Sequence, residues 1–350
     1  MGKTFNQELN NIFLQENIKK CPNLKVKQII VHPGDANIMK KSYLNPKWIA
    51  TKTDNKNIFI WDLDKHKFLP PIKENDTHAH IPDLTLNGHT DLTSFALDWA
   101  KSSHRVASGG RDTRVLIWDL EDYQSKLSTH YILGGKRELN FLSNSEQNIQ
   151  LSYREALEGH KQTVEDLSFS PKDRDILVSV GCDRKIIGWD LRIENNKRAF
   201  EMEDFHMDDI NCVDWNVLDD NYIATGSNDS SSCIIDLRTR KEIMRLKMPE
   251  EKMSIQCIKF SNFNRNIIGI ASDSLHIYDI SSTKPLFTHI GYRGNIADFD
   301  WNLESDWSLI SANQETDVLS TVGGGTLNIF RPLDLICMPE KEAKNKLSRV

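Results

Sequence analysis

Three sets of side chains in this sequence have types and a spacing that could do chemistry. Each set contains a His, a Ser or Thr nineteen residues later, and an Asp four residues beyond that hydroxyl. A His between a hydroxyl and a carboxylate is the arrangement of a nucleophile triad. A nucleophile site occurs once in a protein, whereas this pattern recurs, so we interpret the sets as structural. They are His89, Ser108 and Asp112; His160, Ser179 and Asp183; and His206, Thr225 and Asp229.

A tryptophan completes the first two of these sets. It follows the Asp by six residues in both, and Ile235 holds that place in the third. An indole N–H can donate to the hydroxyl, the hydroxyl can donate to the imidazole, and the carboxylate can orient the imidazole. We therefore predict two buried four-residue chains that fix their strands in register. Their members are His89, Ser108, Asp112 and Trp118, and His160, Ser179, Asp183 and Trp189.

The same pattern recurs along most of the chain. From Trp189 onward, its copies are spaced by 46, 43 and 43 residues, the last falling at Thr321. This spacing matches the ~40–45-residue period of WD40 repeats, each of which forms one four-stranded blade. The sequence therefore predicts an all-β WD40 β-propeller with six recognisable blades. The copies end at Trp61-Asp62, Trp118-Asp119, Trp189-Asp190, Ile235-Asp236 and Tyr278-Asp279, with the sixth near Thr321.

The outer copies depart from the pattern. The first has His32 in the imidazole position and Asn55 in place of the Asp, and the fifth has Ile270 in place of the hydroxyl. For the sixth copy we favour Ser311, Glu315 and Thr321 as its hydroxyl, acid and indole positions, because Ser311 follows Trp301 as Ser179 follows Phe169. An alternative register uses Ser320 and Phe330.

The repeats divide the chain into three parts. Residues 1–25 are an N-terminal extension that could form a short helix or a closing strand, residues 26–331 are the propeller, and residues 332–350 are a tail. Residues 121–156 are longer than a repeat requires, and we expect an inserted, mobile surface loop there.

Composition excludes several classes of function. The formal net charge is -6, from 44 Lys+Arg and 50 Asp+Glu, so no strongly basic face is indicated and we expect no direct nucleic-acid binding. No apolar run is long enough to span a membrane, and the six cysteines include no CxxC pair. His78 and His80 lack a third ligand at a recognisable spacing. We expect no metal, no cofactor and no enzymatic activity.

Polar residues follow the His position in several copies and could form a binding site. They begin the innermost strands, where the blades of a propeller converge. Acidic side chains brought together there could bind an Arg- or Lys-bearing peptide through charge-assisted hydrogen bonds. The alternative is that they are ordinary solvated turn residues. The candidates are Asp35, Asn37, Asp91, Glu165, Asp209 and Asn211.

The chain also resembles one WD-repeat family, the retinoblastoma-binding, histone-binding proteins that include the small subunit of chromatin assembly factor and Msi/Nurf-type chromatin subunits. The resemblance covers roughly residues 25–330. The segments that carry it are residues 49–53 (IATKT), 157–169, 222–229, 286–291 and 296–302, with Trp307.

The resemblance implies a seven-bladed plan and a nuclear scaffold, with the cytoplasm as an additional location. It implies a chain that is monomeric within a larger chromatin complex and binds core histones. The family binds the histone H3 tail over an acidic channel mouth, where the positions of Asp91, Glu165 and Asp209 are acidic and Asn211 also matches. A WD40 adaptor outside chromatin, in ribosome assembly or as a ubiquitin-ligase substrate adaptor, is the alternative.

The chain departs from this family at a second site, which holds a histone H4 helix. Family members build that groove from a long N-terminal helix and a late acidic loop. Here the corresponding loop is Ser-Ser-Thr-Lys-Pro at residues 281–285, with a Lys and no acid, and only some twenty residues precede the first strand. The family's first blade is also not recognisable. Binding of the H4 helix is therefore in doubt.

Overall fold

The computed structural model of the chain describes residues 28–332, except for residues 29, 31, 35, 54–55, 67–79, 92, 122–148, 195–196, 249–252, 291, 293 and 315–324. Every regular element within these residues is a β-strand. This part of the chain has no helix that is long and apolar enough to cross a membrane. The described residues up to Asp204 form one compact unit, and those from Phe205 form another. The short N-terminal helix proposed from the sequence falls outside the described residues.

The first unit contains three sheets built from thirteen described strands. Sheet I has β1 (Ala36–Lys41), β2 (Trp48–Thr53), β3 (Ile58–Asp62), β4 (Leu84–Asn87) and β8 (Gln150–Ser152). Sheet II has β5 (Thr93–Trp99), β6 (Arg105–Gly110), β7 (Arg114–Asp119) and β9 (Glu155–Glu158). Sheet III has β10 (Val164–Phe169), β11 (Ile176–Gly181), β12 (Ile186–Asp190) and β13 (Arg198–Met202).

The second unit also contains three sheets. Sheet IV has β14 (Ile210–Trp215), β15 (Tyr222–Ser227), β16 (Ser231–Asp236) and β17 (Lys241–Lys247). Sheet V has β18 (Cys257–Phe260), β19 (Ile267–Ala271), β20 (Leu275–Asp279) and β21 (Pro285–His289), and sheet VI has β22 (Ile296–Trp301), β23 (Leu309–Gln314) and β24 (Gly325–Phe330). The predicted fold class, an all-β WD40 β-propeller with six blades, is confirmed.

One register recurs in the middle strands of the sheets and explains the spacing in the sequence. In sheet III, Ser179 faces Ile187 and Leu177 faces Trp189 across the antiparallel pair β11–β12. The hydroxyl and the indole therefore lie two pairs apart on adjacent strands and on the same face of the sheet. The tight turn between the strands places Arg184 at a φ of 61°, and the Asp183 carboxylate accepts a hydrogen bond from the Lys185 N–H at 3.2 Å. A short side-chain acceptor is what such a turn favours.

Apolar side chains fill the spaces between neighbouring sheets within each unit. Trp99 and Trp118 are buried between sheets I and II, and Phe169 and Trp189 between sheets II and III. Polar side chains add specific links: the buried Asp98 carboxylate of β5 accepts from the Phe169 N–H of β10 at 2.9 Å. The sheets of each unit are thus held by burial and by defined hydrogen bonds together.

The sequence predicts an inserted, mobile surface loop at residues 121–156. The structure differs at the end of this stretch, where β8 and the first residues of β9 are strands. β8 pairs in parallel with β4, so that Leu86 faces Leu151, and it forms the outermost strand of sheet I. The chain then returns to sheet II, where Leu157 of β9 faces Val115 of β7. Apolar burial of Leu151 and Leu157 holds both strands in place. Residues 122–148 of this stretch lie outside the described residues.

The sixth copy corrects our interpretation of its indole position. Ser311 is buried in the hydroxyl position, but Leu309 faces Phe330, so Phe330 and not Thr321 stands where Trp189 stands in sheet III. The alternative register was right about Phe330 and wrong about Ser320. The hairpin between β23 and β24 is longer than in the other sheets, and a fixed spacing from the hydroxyl therefore misses the partner strand. Glu315, Ser320 and Thr321 themselves lie outside the described residues.

Candidate functional site

The hydrogen-bond chain of sheet III is complete. The Trp189 indole N–H donates to Ser179 Oγ at 2.8 Å, Ser179 Oγ lies 2.8 Å from His160 Nε2, and His160 Nδ1 lies 2.9 Å from the Asp183 carboxylate. Burial by itself raises the pKa of Asp183, but hydrogen bonds from His160 and from the Lys161 and Lys185 N–H groups outweigh it and hold that pKa below its usual range. The carboxylate therefore stays ionised and orients the imidazole.

Removing the hydroxyl of this chain is expected to destabilise the protein. In a Ser179→Ala variant, the buried indole of Trp189 and the imidazole of His160 each lose a partner, which costs about 2–4 kcal/mol of the free energy of unfolding. Urea denaturation measures this loss. Ser102→Ala at an exposed serine is the matched control and is expected to change nothing. Equal stability of the two variants would contradict a structural role for the chain.

Sheets IV and I carry incomplete versions of the chain. In sheet IV, His206 Nε2 lies 2.9 Å from Thr225 Oγ1 and Nδ1 lies 3.1 Å from Asp229, while Ile235 supplies no donor. In sheet I, His32 Nε2 lies 2.6 Å from Thr51 Oγ1, which also accepts from the Trp61 indole N–H. The link common to both is that between the imidazole and the hydroxyl.

Sheet II departs from the prediction in its donor. His89 Nε2 lies 3.1 Å from Ser108 Oγ, and His89 Nδ1 lies 3.1 Å from Asp112, as the spacing predicted. The Trp118 indole, however, donates to the backbone carbonyl of Asn87 at 3.2 Å, so the predicted bond from Trp118 to Ser108 is wrong. The donor to Ser108 Oγ is instead Lys52 Nζ at 2.7 Å, which reaches across from β2 of sheet I.

Lys52 is fully buried and makes two further hydrogen bonds. Its ammonium donates to the Ala96 carbonyl at 3.1 Å and to the Gly109 carbonyl. Burial lowers the pKa of Lys52 to about 7, and the charges of Asp112 and Glu165 partly oppose that shift. Three acceptors thus surround the three N–H bonds of a lysine whose charge is costly to bury.

We call the polar residues that the sequence predicted as a binding site the rim residues, and three of them belong to neighbouring strands of the first unit. Asn37 lies on β1 and is exposed, Asp91 lies two residues before β5 and is exposed, and Glu165 lies on β10 and is half-buried. β5 contacts both β1 and β10. The Glu165 carboxylate accepts a hydrogen bond from the Cys182 thiol at 3.2 Å. Asp35 falls outside the described residues.

Two candidate rim residues belong to the second unit. Asp209 is half-buried directly before β14, where its backbone N–H donates to the Asp208 carboxylate at 2.8 Å. The Asn211 amide donates to Asn228 Oδ1 at 2.7 Å and to the Ile255 carbonyl at 3.0 Å. Asn211 therefore ties sheet IV to the chain entering sheet V, and its role is at least partly structural.

Comparison with known proteins agrees with these repeats. The family described as "WD domain, G-beta repeat" matches residues 81–119 and 151–190, which contain most of sheet II and of sheet III. The WD-40 repeat-containing protein MSI4 of Arabidopsis thaliana is 31% identical over 354 residues, which cover 94% of this chain and 68% of that protein. The chain belongs to the MSI family of WD40-repeat proteins. MSI3 of the same plant is 24% identical over 321 residues, covering 85% of this chain and 67% of that protein.

Lys52 is the residue that sequence reasoning missed in this MSI-family chain. A lysine is most often solvated, and no periodic pattern within one repeat predicts a donor that belongs to its neighbour. The sequence held one weak signal, a single charge within the β-prone run of residues 49–53 (IATKT), and the structure shows that the last four residues of that strand are buried. A charged residue in such a strand requires buried partners.

The described part of this MSI-family protein offers little for metal chemistry. No group of three or more His, Cys, Asp or Glu side chains within it is placed to hold a metal ion. His66 and His80 stack with their ring centroids 6.0 Å apart, and His78 lies outside the described residues. What the described side chains do provide is hydrogen-bonded carboxylates beside solvent, which are suited to binding cations.

Proposed function

We propose that this protein is a non-enzymatic scaffold subunit of chromatin complexes and that it binds the basic tail of a core histone. Binding uses Asp91 and Glu165 of the first unit, with Asn37 on the contacting strand β1 as a polar neighbour. Asp209 and Asn211 of the second unit and Asp35, which lies outside the described residues, are further candidates for binding basic side chains. Membership of the MSI family supports the scaffold role. The observation that carries the binding role is the Glu165 carboxylate, which lies on an inner strand, partly open to solvent, with the exposed Asp91 on the loop entering the neighbouring strand β5.

The chemistry of the rim fits Arg or Lys side chains. A carboxylate that is held by a hydrogen bond and still reaches solvent accepts charge-assisted hydrogen bonds from a guanidinium or an ammonium. The Cys182 thiol at 3.2 Å holds one oxygen of Glu165, and no hydrogen bond between described residues occupies the other, which we assign to the ligand. Net charge of -6 further favours a basic over an acidic partner. On this reading the protein works in the nucleus as one chain within a larger complex.

A binding titration tests the proposal directly. We expect the purified chain to bind a fluorescent peptide of the histone H3 tail, and to bind it more weakly as salt is raised, because screening weakens contacts between exposed charges. The control peptide has the same sequence with every Arg and Lys replaced by Gln. Equal affinity for both peptides contradicts recognition by charge.

Affinity capture separates chromatin from other settings. Core histones and chromatin-complex subunits are the expected partners of the tagged full chain. Ribosomal or ubiquitin-ligase proteins in their place would support the alternative, a WD40 adaptor outside chromatin.

The helix of histone H4 is not part of this proposal. The loop between β20 and β21 is a short turn in which the Ser282 N–H donates to the Asp279 carbonyl at 2.8 Å. Its Lys284 is exposed, so the side chain at this place is basic instead of acidic.

A further inference from the structure

Lys52 is buried close to Val164, the residue before Glu165 of the proposed rim: its ammonium donates to the Gly109 and Ala96 carbonyls, and both of these residues pack against Val164. Nothing in the proposed function uses this ammonium. Lys52 is 0% exposed, and its three N–H bonds point at the Ala96 and Gly109 carbonyls and at Ser108 Oγ. Sheet III places a neutral indole at the corresponding position. Sheet II therefore has a titratable cation where a neutral donor is sufficient.

This cation heads a hydrogen-bond chain that ends in a carboxylate. Lys52 donates to Ser108 Oγ, Ser108 Oγ lies 3.1 Å from His89 Nε2, and His89 Nδ1 lies 3.1 Å from Asp112. Arg114 also pairs with Asp112, at 3.0 Å, and so offsets part of that negative charge. Because Lys52 is fully buried, a change in the charge of a neighbouring group has a strong effect on its protonation.

The charged and titratable groups facing Lys52 come from two sheets. Sheet II presents His89, Asp112 and Arg114, and sheet III presents Glu165. Glu165 is the only one of these groups that we place in the binding rim. Its negative charge favours the protonated form of Lys52, and burial favours the neutral form. A cationic side chain that binds Glu165 neutralises its charge, so the protonated form of Lys52 becomes less favourable.

We propose that Lys52 is a proton-linked regulator of the rim: an Arg or Lys bound at Glu165 drives a proton off Lys52, and protonation of Lys52 weakens that binding. This inference rests on the proposed function. The two effects are reciprocal, because linked binding equilibria change each other by the same factor. Raising the pH through neutrality therefore tightens peptide binding, and we expect about a five-fold change in affinity.

Calorimetry of the full chain with the histone H3 tail peptide tests this inference. Titrations near neutral pH in two buffers of different ionisation enthalpy report the number of protons exchanged. We expect the wild type to release a fraction of a proton on binding, and Lys52→Met to bind the peptide without proton release and without the five-fold pH dependence. Lys52→Arg keeps a buried donor that stays charged, and it serves as the second variant if Lys52→Met does not fold; it is expected to bind the peptide without proton release.

The outcomes distinguish this inference from the proposed function. Peptide binding by the wild type without proton exchange overturns the role of Lys52 and leaves the proposed function standing. Proton release that persists in Lys52→Met or in Lys52→Arg assigns the linkage to another group and also overturns it. A wild type that does not bind the peptide at all overturns the proposed function, and the inference falls with it.

Discussion

Replacing Glu165 with Lys is expected to weaken binding of the histone H3 tail peptide strongly. The substitution removes a carboxylate that is half-buried beside Cys182 and places an ammonium where a cationic side chain has to approach. Reversal of a charge in a partly desolvated site costs about 2–5 kcal/mol of binding free energy, or roughly thirty-fold to several thousand-fold in affinity. Fluorescence anisotropy with a labelled peptide measures the loss. Asp209→Lys tests the candidate of the second unit in the same way.

The control for this result is a charge reversal of equal size elsewhere in the first unit. Glu158 is exposed on the outer strand of sheet II, so Glu158→Lys changes net charge equally and is expected to leave affinity unchanged. The melting temperatures of wild type and Glu165→Lys are compared at a pH above the pKa of Lys52. Lys52 is then neutral and does not repel the ammonium introduced at position 165. Full affinity in folded Glu165→Lys would falsify the assignment of the rim.

Lys52 is expected to make stability strongly dependent on pH. Burial lowers its pKa from 10.5 to about 7 in the folded protein. Between these values the unfolded chain binds a proton that the folded protein does not, so the free energy of unfolding rises with pH across that window. The full shift corresponds to about 5 kcal/mol, which is gained from about pH 7 to about pH 10.5 and retained above that window; Lys52 adds no further pH dependence below or above it.

Comparison with Lys52→Met isolates this effect, because every other group titrates in both proteins. Urea denaturation at a series of pH values gives the stability difference between wild type and variant. We expect this difference to move in favour of the wild type by several kcal/mol as the pH rises from 7 to 10.5. Methionine leaves Ser108 and two carbonyls without their donor, and this loss lowers the stability of the variant at every pH. It does not change how the stability difference depends on pH. A difference that stays constant with pH contradicts the lowered pKa.

The repeat pattern predicted most of sheet III to within one or two residues. In the third copy, short apolar runs separated by turn residues predict a first strand at residues 164–169 and a turn at residues 170–173, and β10 spans Val164–Phe169. The pattern succeeds there because each copy needs a hydroxyl and an indole two pairs apart, and only one register of the two middle strands provides this. Local sequence and tertiary contacts require the same arrangement, so spacing alone identifies the strands.

Elsewhere, contacts between copies decided the structure, and the spacing within one copy could not reveal them. Lys52 of sheet I replaces Trp118 as the donor to Ser108 because the hydrogen-bond chain of sheet II extends into the neighbouring sheet. Phe330 occupies the indole position of sheet VI because its hairpin is longer.

For the rim residues, the sequence predicted their positions on the strands but not their hydrogen-bond partners. The sequence placed Glu165 and Asp209 at the beginnings of inner strands, and the structure has them there. It did not show that the Asn211 amide is hydrogen-bonded to Asn228 and Ile255, nor that Glu165 accepts from Cys182. Such partners come from neighbouring strands and loops, whose proximity is a property of the packed sheets.

The path of the chain through β8 has a consequence for how this protein folds. Only residues 153 and 154 connect β8, which pairs with β4 of sheet I, to β9, the outer strand of sheet II, so the docking of either strand brings the other to its sheet. The first two blades are therefore not independent modules, as repeats in linear arrays are, but one cooperative folding unit. Hydrogen exchange of amides in β4 and β9 should show a common opening energy, and β4, covered by β8, offers no bare edge for aggregation.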